Sequence, residues 1–218
     1  MPLRLLKALF PLPAFCACAL LAGCAPTKPL KTDTLNTVNI AVEFAEPNRT
    51  RFSGKGAGAG MMLSSSMGAA GVAIGIAIDE GIGKDIHATA KAAGVAVEPL
   101  VIAALRERAE RLERATYFTS TDEAQLVILI KRYGFILQSG VDDPAAAQFI
   151  VHVSHPDSGP EVILKLDYPA DFIRENASVP ATAPLQTLKT NAADIEQLWR
   201  GALRAVFSDS RFQALLQF

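Results

Sequence analysis

Apolar and polar residues alternate in the first segment of the chain that has a clear secondary-structure pattern. This two-residue period predicts a strand with one buried face, formed by Val38, Ile40, Val42 and Phe44. Runs of β-branched, aliphatic and aromatic residues predict three more strands. They cover residues 125–137 (with a bend at Gly134), 149–153 and 162–167. Asp142-Asp143-Pro144 and residues 155–160 have the composition of turns between these strands.

Two longer segments have the period of an amphipathic helix. The first runs from Pro99 to about Arg114, with Val101, Leu105 and Leu112 on its apolar side. The second follows Asn191, a residue that suits a helix N-cap, and its apolar stripe comprises Ile195, Leu198, Trp199, Ala202, Leu203, Val206 and Phe207. A last short helix is expected from Ser210. The predicted fold class is α+β: a small, mostly antiparallel sheet of about four strands, with the two amphipathic helices on one face.

A glycine-rich insert, residues 54–83, separates the first strand from the first helix. It contains no charged residue between Lys55 and Asp79. In a helix, three glycines would share one face and let another backbone approach closely: Gly68, Gly71 and Gly75. A competing strand period alternates with glycine and alanine, at Val72, Ile74, Ile76 and Ile78. We expect a helix in which the three glycines are packing residues.

The sequence leaves three alternatives for the environment of this insert. It could be buried against its own domain, enter or lie on a bilayer, or form a contact between copies of the chain. The charge-free stretch is long enough to cross a bilayer, but Gly, Ala and Ser supply little transfer energy. A phosphate-binding loop is not predicted, because its lysine would follow the glycines, whereas Lys55 precedes Gly56.

The N-terminus has the pattern of a secretory signal. Arg4 and Lys7 precede an apolar stretch, residues 8–21, which is too short for a membrane span. The stretch ends in Leu21-Ala22-Gly23-Cys24, and these four residues resemble the lipobox of bacterial lipoproteins. The resemblance implies that the signal is cut before Cys24 and that the Cys24 thiol carries a lipid.

These features predict three parts of the chain. Residues 1–23 are the signal peptide, residues 24–36 are the lipidated cysteine and a polar tether, and residues 37–218 form an α+β periplasmic domain that contains the insert. Cys16 and Cys18 would leave with the signal, so no disulfide is expected. Alanine rather than aspartate follows the cysteine. In the lipoproteins that this sequence resembles, that points to the periplasmic face of the outer membrane.

No set of side chains predicts catalysis, a metal site or a cofactor. The three histidines are His87, His152 and His155. The last two could approach Asp157 at a hairpin, but a zinc site needs further ligands in fixed geometry. Asp142-Asp143 is more typical of a turn than of an acid–base pair. A formal charge of −1, with both signs mixed along the chain, argues against a nucleic-acid partner.

The lipobox, the tether and the order strand, helix, three strands, helix together resemble small outer-membrane accessory lipoproteins. The lipopolysaccharide-assembly lipoprotein and the auxiliary lipoproteins of envelope transporters are examples. The insert is similar instead to the glycine-zipper segments of other envelope lipoproteins. These resemblances imply a non-enzymatic protein, lipid-anchored to its membrane, that binds a protein partner in the envelope. The glycine spacing of the insert leaves self-association possible as well. A small lipid-tethered periplasmic hydrolase is the alternative, and it would need a nucleophile with a base.

The lipobox generates the first testable prediction. Changing Cys24 to Ala should abolish lipid attachment and the signal processing that depends on it, because no other cysteine has suitable residues before it. The measurement is mass spectrometry of the protein purified from membranes. An unmodified Cys24 in the wild-type protein would contradict the interpretation of the whole N-terminus.

Overall fold

The computed structural model describes residues 37–137, 144–156, 161–175 and 179–217. Contacts divide the chain into Met1–Thr32 and Asp33–Phe218, and every described residue belongs to the second unit. The predictions for the signal, Cys24 and the tether therefore lie outside the described residues. So do those for Asp142, Asp143 and Asp157.

The described residues form seven strands and seven helices. The strands are β1 (Thr37–Phe44), β2 (Arg51–Ser53), β3 (Ala115–Phe118), β4 (Leu126–Leu137), β5 (Pro144–Ser154), β6 (Val162–Tyr168) and β7 (Thr182–Pro184). The helices are α1 (Lys55–Met67), α2 (Ala69–Ala92), α3 (Val97–Arg111), α4 (Ala170–Arg174), α5 (Leu185–Leu188), α6 (Ala192–Ser208) and α7 (Ser210–Leu216). A 3-10 turn, Thr121–Glu123, precedes β4.

All seven strands belong to one mixed sheet with the order β3-β1-β4-β5-β6. β1 is parallel to β3 and to β4, whereas β4, β5 and β6 are successively antiparallel. β2 continues the position of β1 along the same edge of β4, and β7 likewise pairs with the first residues of β5. The chain leaves the sheet between β1 and β2, and β2 leads directly into the glycine-rich insert.

The predicted α+β class is correct, but the prediction of about four, mostly antiparallel strands is wrong. β2, β3 and β7 were missed because three or four residues are too few to show a period of alternation. The parallel pairing of β1 with β4 arises because helices α1, α2 and α3 lie between them and provide a crossover connection. The predicted bend at Gly134 is also displaced, because the register shift in β4 falls between Ile130 and Arg132.

Gly134 has a different role from the one that its position in the sequence suggested. A Cβ atom there would lie 1.8 Å from the carbonyl oxygen of Arg51, in the adjacent strand β2. Its φ of 153° is also a conformation that other residues rarely adopt. Glycine is therefore required where β2 joins the sheet.

The core lies between one face of the sheet and the long helices. A buried row crosses the sheet through Ile130, Val151 and Leu166. The neighbouring row, Leu129, His152 and Lys165, is on the opposite face, because successive strand residues alternate. The sheet thus has a packed face and a polar face, as expected for helices on one side.

Helix α6 is the main helix on this face and behaves as predicted. The Asn191 side chain caps it by accepting a hydrogen bond from the backbone N–H of Ala193 at 3.0 Å. All seven residues of the predicted apolar stripe are buried. The first predicted helix also exists as α3, although it begins at Val97 and ends at Arg111. Pro99 is in its first turn, where a missing N–H is tolerated.

Trp199 occupies the centre of the contact between α6 and the sheet. Its ring stacks on Phe135 and meets Tyr133 edge-on, each at 5.8 Å between ring centroids. Only 1% of the residue is exposed, and its indole N–H has no hydrogen-bond partner among the described residues. Trp199 therefore stabilises the fold by apolar burial and aromatic packing.

We predict that Trp199→Ala destabilises the protein by ~3–5 kcal/mol, because it removes a large side chain from a packed core. Trp199→Phe is the matched control: it keeps the aromatic stacking and removes the unpaired N–H, so it should lose much less. The measurement is the midpoint of denaturant unfolding. Equal midpoints for Trp199→Ala and the wild type would show that Trp199 is not part of the core.

Candidate interaction surface

The glycine-rich insert forms a helical hairpin, α1 and α2, joined at Gly68. The strand alternative for Val72 to Ile78 is therefore wrong. Gly68 has φ 58° and ψ −132°, a left-handed backbone conformation that favours glycine. An added Cβ at Gly68 would meet no atom within 4 Å. Gly68 thus forms the turn, and its predicted role as a packing residue is wrong, because a turn residue cannot also face the partner helix.

Four glycines hold the two helices at close range. A Cβ atom at Gly56 would lie 1.8 Å from the carbonyl oxygen of Gly75, and one at Gly75 would lie 2.3 Å from that of Gly56. A Cβ at Gly71 would lie 2.5 Å from the carbonyl carbon of Leu63. Gly60 is the fourth, with its Cβ position 3.4 Å from the Gly75 Cα. The hairpin therefore depends on backbone-to-backbone contact that no side chain would permit.

Gly71 and Gly75 thus lie where two helix backbones meet, whereas Gly56 and Gly60 were not named as their partners. The signal for these partners was present, because Gly56 and Gly60 have the same four-residue spacing as Gly71 and Gly75. The spacing could not show that the pair Gly56 and Gly60 faces the pair Gly71 and Gly75. That depends on the turn at Gly68, which reverses the chain.

The outer surface of the hairpin is apolar and exposed. Met61 is 72% exposed, Met62 is 80% exposed and Ile76 is 58% exposed. Further large exposed apolar side chains of the hairpin are Met67, Val72, Ile74 and Ile78. Residues two apart on a helix point in nearly opposite directions, so the alternation that resembled a strand places apolar side chains around α2.

Only the second part of α2 is buried against the domain, as one of the three alternatives for the insert predicted. Ile82, Gly83, Ile86 and Ala90 are buried. A Cβ at Gly83 would lie 2.6 Å from the carbonyl oxygen of Thr50, next to β2. Before Asp79, the buried residues of the hairpin are glycines at the contact between α1 and α2. We call residues 56–78 the hairpin tip, because they extend beyond the packed domain.

The polar side chains of the tip bind its own backbone. The hydroxyl groups of Ser64, Ser65 and Ser66 donate to the carbonyl oxygens three residues earlier, at 2.8, 2.8 and 3.2 Å. Such local bonds satisfy a hydroxyl without water. With no charge between Lys55 and Asp79, the tip presents little that requires an aqueous environment.

Asp79 closes the base of the hairpin. Its carboxylate accepts hydrogen bonds from the backbone N–H groups of Gly54 at 3.2 Å and Gly56 at 2.6 Å. These groups are at the N-terminus of α1, where N–H groups lack helical partners and a negative charge is favourable. A side chain of α2 therefore caps α1, and the first charged residue after the tip fixes where the tip begins.

Charged side chains surround this base. Arg51 donates to Glu46 at 2.6 Å through Nε, and Arg49 pairs with Glu80 at 2.7 Å. The hydrogen bond from Arg51 holds the pKa of Glu46 below its ordinary value. A cavity of about 480 Å³ opens here. It is lined by these two arginines and also by Ile76, Asp79, Glu80, Lys84 and Arg132. Within the described part of the chain, the side chains of Lys84 and Arg132 make no hydrogen bond or close ion pair, although Arg132 is within electrostatic range of Glu46 and Asp167.

The histidines do not gather into a site. The His87 Nδ1 lies 3.3 Å from the Thr50 hydroxyl, and the His155 Nδ1 lies 2.8 Å from the carbonyl oxygen of Gln125. On the polar face of the sheet, burial lowers the pKa of His152, with smaller contributions from Lys165 and Lys131. Among the described residues, no three His, Cys, Asp or Glu side chains are placed to hold a metal ion.

Comparisons with known proteins give no relative: no family model, curated protein or solved structure matches this chain. The resemblance to outer-membrane accessory lipoproteins therefore stays a prediction. Across the described residues, no single helix has the length and apolar character needed to cross a membrane. Helices α2 and α3 have that length and apolar character only when they are combined, and the chain bends by 74° between them.

We predict that Gly75→Ala separates the two helices of the hairpin, because the new methyl group would lie 2.3 Å from a backbone oxygen. Gly58→Ala is the matched control: its methyl group would meet nothing within 4 Å, and alanine favours a helix over glycine by ~1 kcal/mol. Hydrogen exchange of α1 is the measurement. Protection should fall in Gly75→Ala and be retained in Gly58→Ala, and equal protection in the two variants would contradict the close packing.

Proposed function

We propose that this protein is a lipid-anchored bacterial envelope protein that acts by binding a membrane partner as an accessory or assembly factor, and not by catalysis. Its place is the periplasmic face of the outer membrane, where the lipid on Cys24 holds it. The observation that carries this proposal is the exposed apolar tip of the α1–α2 hairpin. Soluble monomers rarely expose contiguous apolar surface unless it binds a protein or a membrane.

The position of the hairpin in the sequence supports a function next to the membrane. Residues 25–36 lie between the proposed lipid site and Thr37, the first residue of β1, and twelve residues reach at most ~40 Å when extended. The domain therefore stays close to the surface that holds its lipid. The hairpin follows β2, early in the folded chain, and a helix of the length of α1 extends ~20 Å.

The apolar residues of the domain are buried and those of the hairpin tip are exposed, and this difference also favours a binding function. The sheet and helices α3 and α6 bury one continuous core, so the domain does not require a partner to cover its main apolar surface. The tip contributes only glycines to the buried residues. An element that adds apolar surface without adding to the core is more consistent with an interaction surface than with a structural element.

The test is site-specific photo-crosslinking in cells, with the photoreactive residue at Met61 in the tip. Val179, which is 94% exposed outside the hairpin, is the matched control position. We expect a discrete envelope protein to be captured from Met61 and not from Val179. The same adduct should be lost in the Cys24→Ala variant, because that protein is not held at the membrane.

Adducts of equal yield from Met61 and Val179 would contradict binding through the hairpin. An adduct from Met61 that persists in Cys24→Ala would contradict the dependence on the lipid anchor. An adduct made only with a second copy of the chain would replace the accessory function with self-association. Each outcome is read from the mass and identity of the crosslinked band.

A further inference from the structure

We propose that the hairpin tip inserts into the hydrocarbon of a single lipid leaflet, with the charged cavity at its base against anionic lipid headgroups. This inference rests on the proposed function and extends it, because it places the tip, and with it the contact with a membrane partner, within one leaflet; the insertion itself holds whether or not Cys24 carries a lipid. Four features of the hairpin carry it: the distribution of apolar side chains, the internal satisfaction of polar groups, the length of the tip and the cations at its base.

The apolar side chains of the tip point in many directions. Met61 and Met62 are neighbours on α1 and cannot face the same side of the helix, yet both are more than 70% exposed. On α2, the side chains of Ile74 and Ile76 are likewise exposed on different sides. A protein docked on one face of a helix would cover only some of these side chains, whereas lipid, with or without a partner embedded in it, would cover those on several sides.

The polar atoms of the tip are compatible with hydrocarbon. A lipid interior offers no hydrogen-bond partners, so every backbone group must be satisfied within the segment. Both arms of the tip are α-helical, and the hydroxyls of Ser64, Ser65 and Ser66 bind their own backbone. The close contact of Gly56 with Gly75 joins the backbones of the two arms, and beside it a mostly apolar groove opens between Met61 of α1 and Val72 of α2. The polar groups that insertion leaves exposed are mainly the helix-end groups at the turn, where the Gly68 N–H donates to the Ser64 carbonyl oxygen and the Gly71 N–H to that of Gly68.

The length of the tip matches one leaflet. Ten residues separate Gly68 at the turn from Ile78, the last uncharged residue before Asp79, and at 1.5 Å per residue they extend ~15 Å. This is half of the ~30 Å hydrocarbon thickness of a bilayer. The charged residues of the two arms, Lys55 and Asp79, stand at the same level, because Asp79 caps the start of α1. A tip of this length enters a leaflet without crossing the membrane.

The side chains at the base suit a headgroup layer. Asp79 is engaged in capping α1, and Glu80 is paired with Arg49. Lys84 and Arg132 line the same cavity, and within the described residues neither side chain makes a hydrogen bond or a close ion pair, although Arg132 is within electrostatic range of Glu46 and Asp167. Ile76 lines the cavity from the apolar side. The two cations complement the negative headgroup of an anionic lipid, and the apolar side chain of Ile76 suits its acyl chain.

The experiment places a tryptophan in the tip and uses vesicles whose acyl chains carry bromine, which quenches indole fluorescence on contact. Met62→Trp reports from the tip, and Val179→Trp is the matched control at another highly exposed apolar position. Both are made in the full chain, so the same anchor holds both variants. The buried Trp199 contributes the same signal to each.

Insertion predicts that the emission of Met62→Trp shifts to shorter wavelength on vesicles. Brominated acyl chains should quench its added emission several-fold more than that of Val179→Trp. Equal quenching at the two positions would overturn the proposal. A shift without quenching, together with a larger sedimenting species, would also overturn it, because a second copy would then cover the tip.

The headgroup contact is tested by reversing charge at the base. Lys84→Glu with Arg132→Glu should reduce quenching of Met62→Trp on anionic vesicles and leave it unchanged on zwitterionic ones. Lys131→Glu with Lys165→Glu makes the same charge change near His152, at two lysines that do not line the cavity, and should have a much smaller effect. Equal loss in both pairs would overturn the headgroup contact. Because these vesicles contain no other protein, the result is independent of whether the proposed envelope partner exists.

Discussion

The contact between Gly56 and Gly75 is the constraint on which the hairpin, and with it the interaction surface, depends. At each position a single methyl group would lie within 2.3 Å of the opposite carbonyl oxygen. The two helices can be this close only because both sides are glycine, and the apolar side chains must then point outward. The same packing that joins the arms therefore exposes the methionines and isoleucines of the tip.

The hairpin is connected to the domain through charge and through backbone contact. Asp79 belongs to α2 and caps α1, so it joins the arms at the point where the chain leaves the sheet. Four residues further on, Gly83 lets α2 approach the backbone of Thr50, next to β2. The direction of the hairpin is thus fixed by the domain, whereas its apolar tip makes no contribution to the core apart from its own glycines.

Sequence patterns predicted the helices and strands that bury one face and therefore show a regular spacing of apolar residues. They failed for elements that are too short to show such a spacing. Helix α6 was predicted residue by residue, because a wide apolar stripe repeats over four turns. The short strands β2 and β7 carry too few residues for any period, and strand direction in the sheet has no local signal. The insert was predicted to be helical, but not to project. An apolar helix looks the same in sequence whether protein or lipid surrounds it.

The composition of the tip makes its stability depend on what surrounds it. Glycine in a helix interior costs about 1 kcal/mol relative to alanine, and the tip contains several glycines together with exposed apolar side chains. In water, close packing of the arms must offset both effects. In a lipid leaflet the apolar side chains are covered, and the hydrogen bonds of the helices have no competing water. Insertion would then stabilise the helical structure of the hairpin, because the lipid that covers the apolar side chains also removes water that competes for the helical hydrogen bonds. The core packed around Trp199 contains Ile82 and Ile86 from the second part of α2 but no side chain of the tip, so the packing of the domain does not depend on what covers the tip.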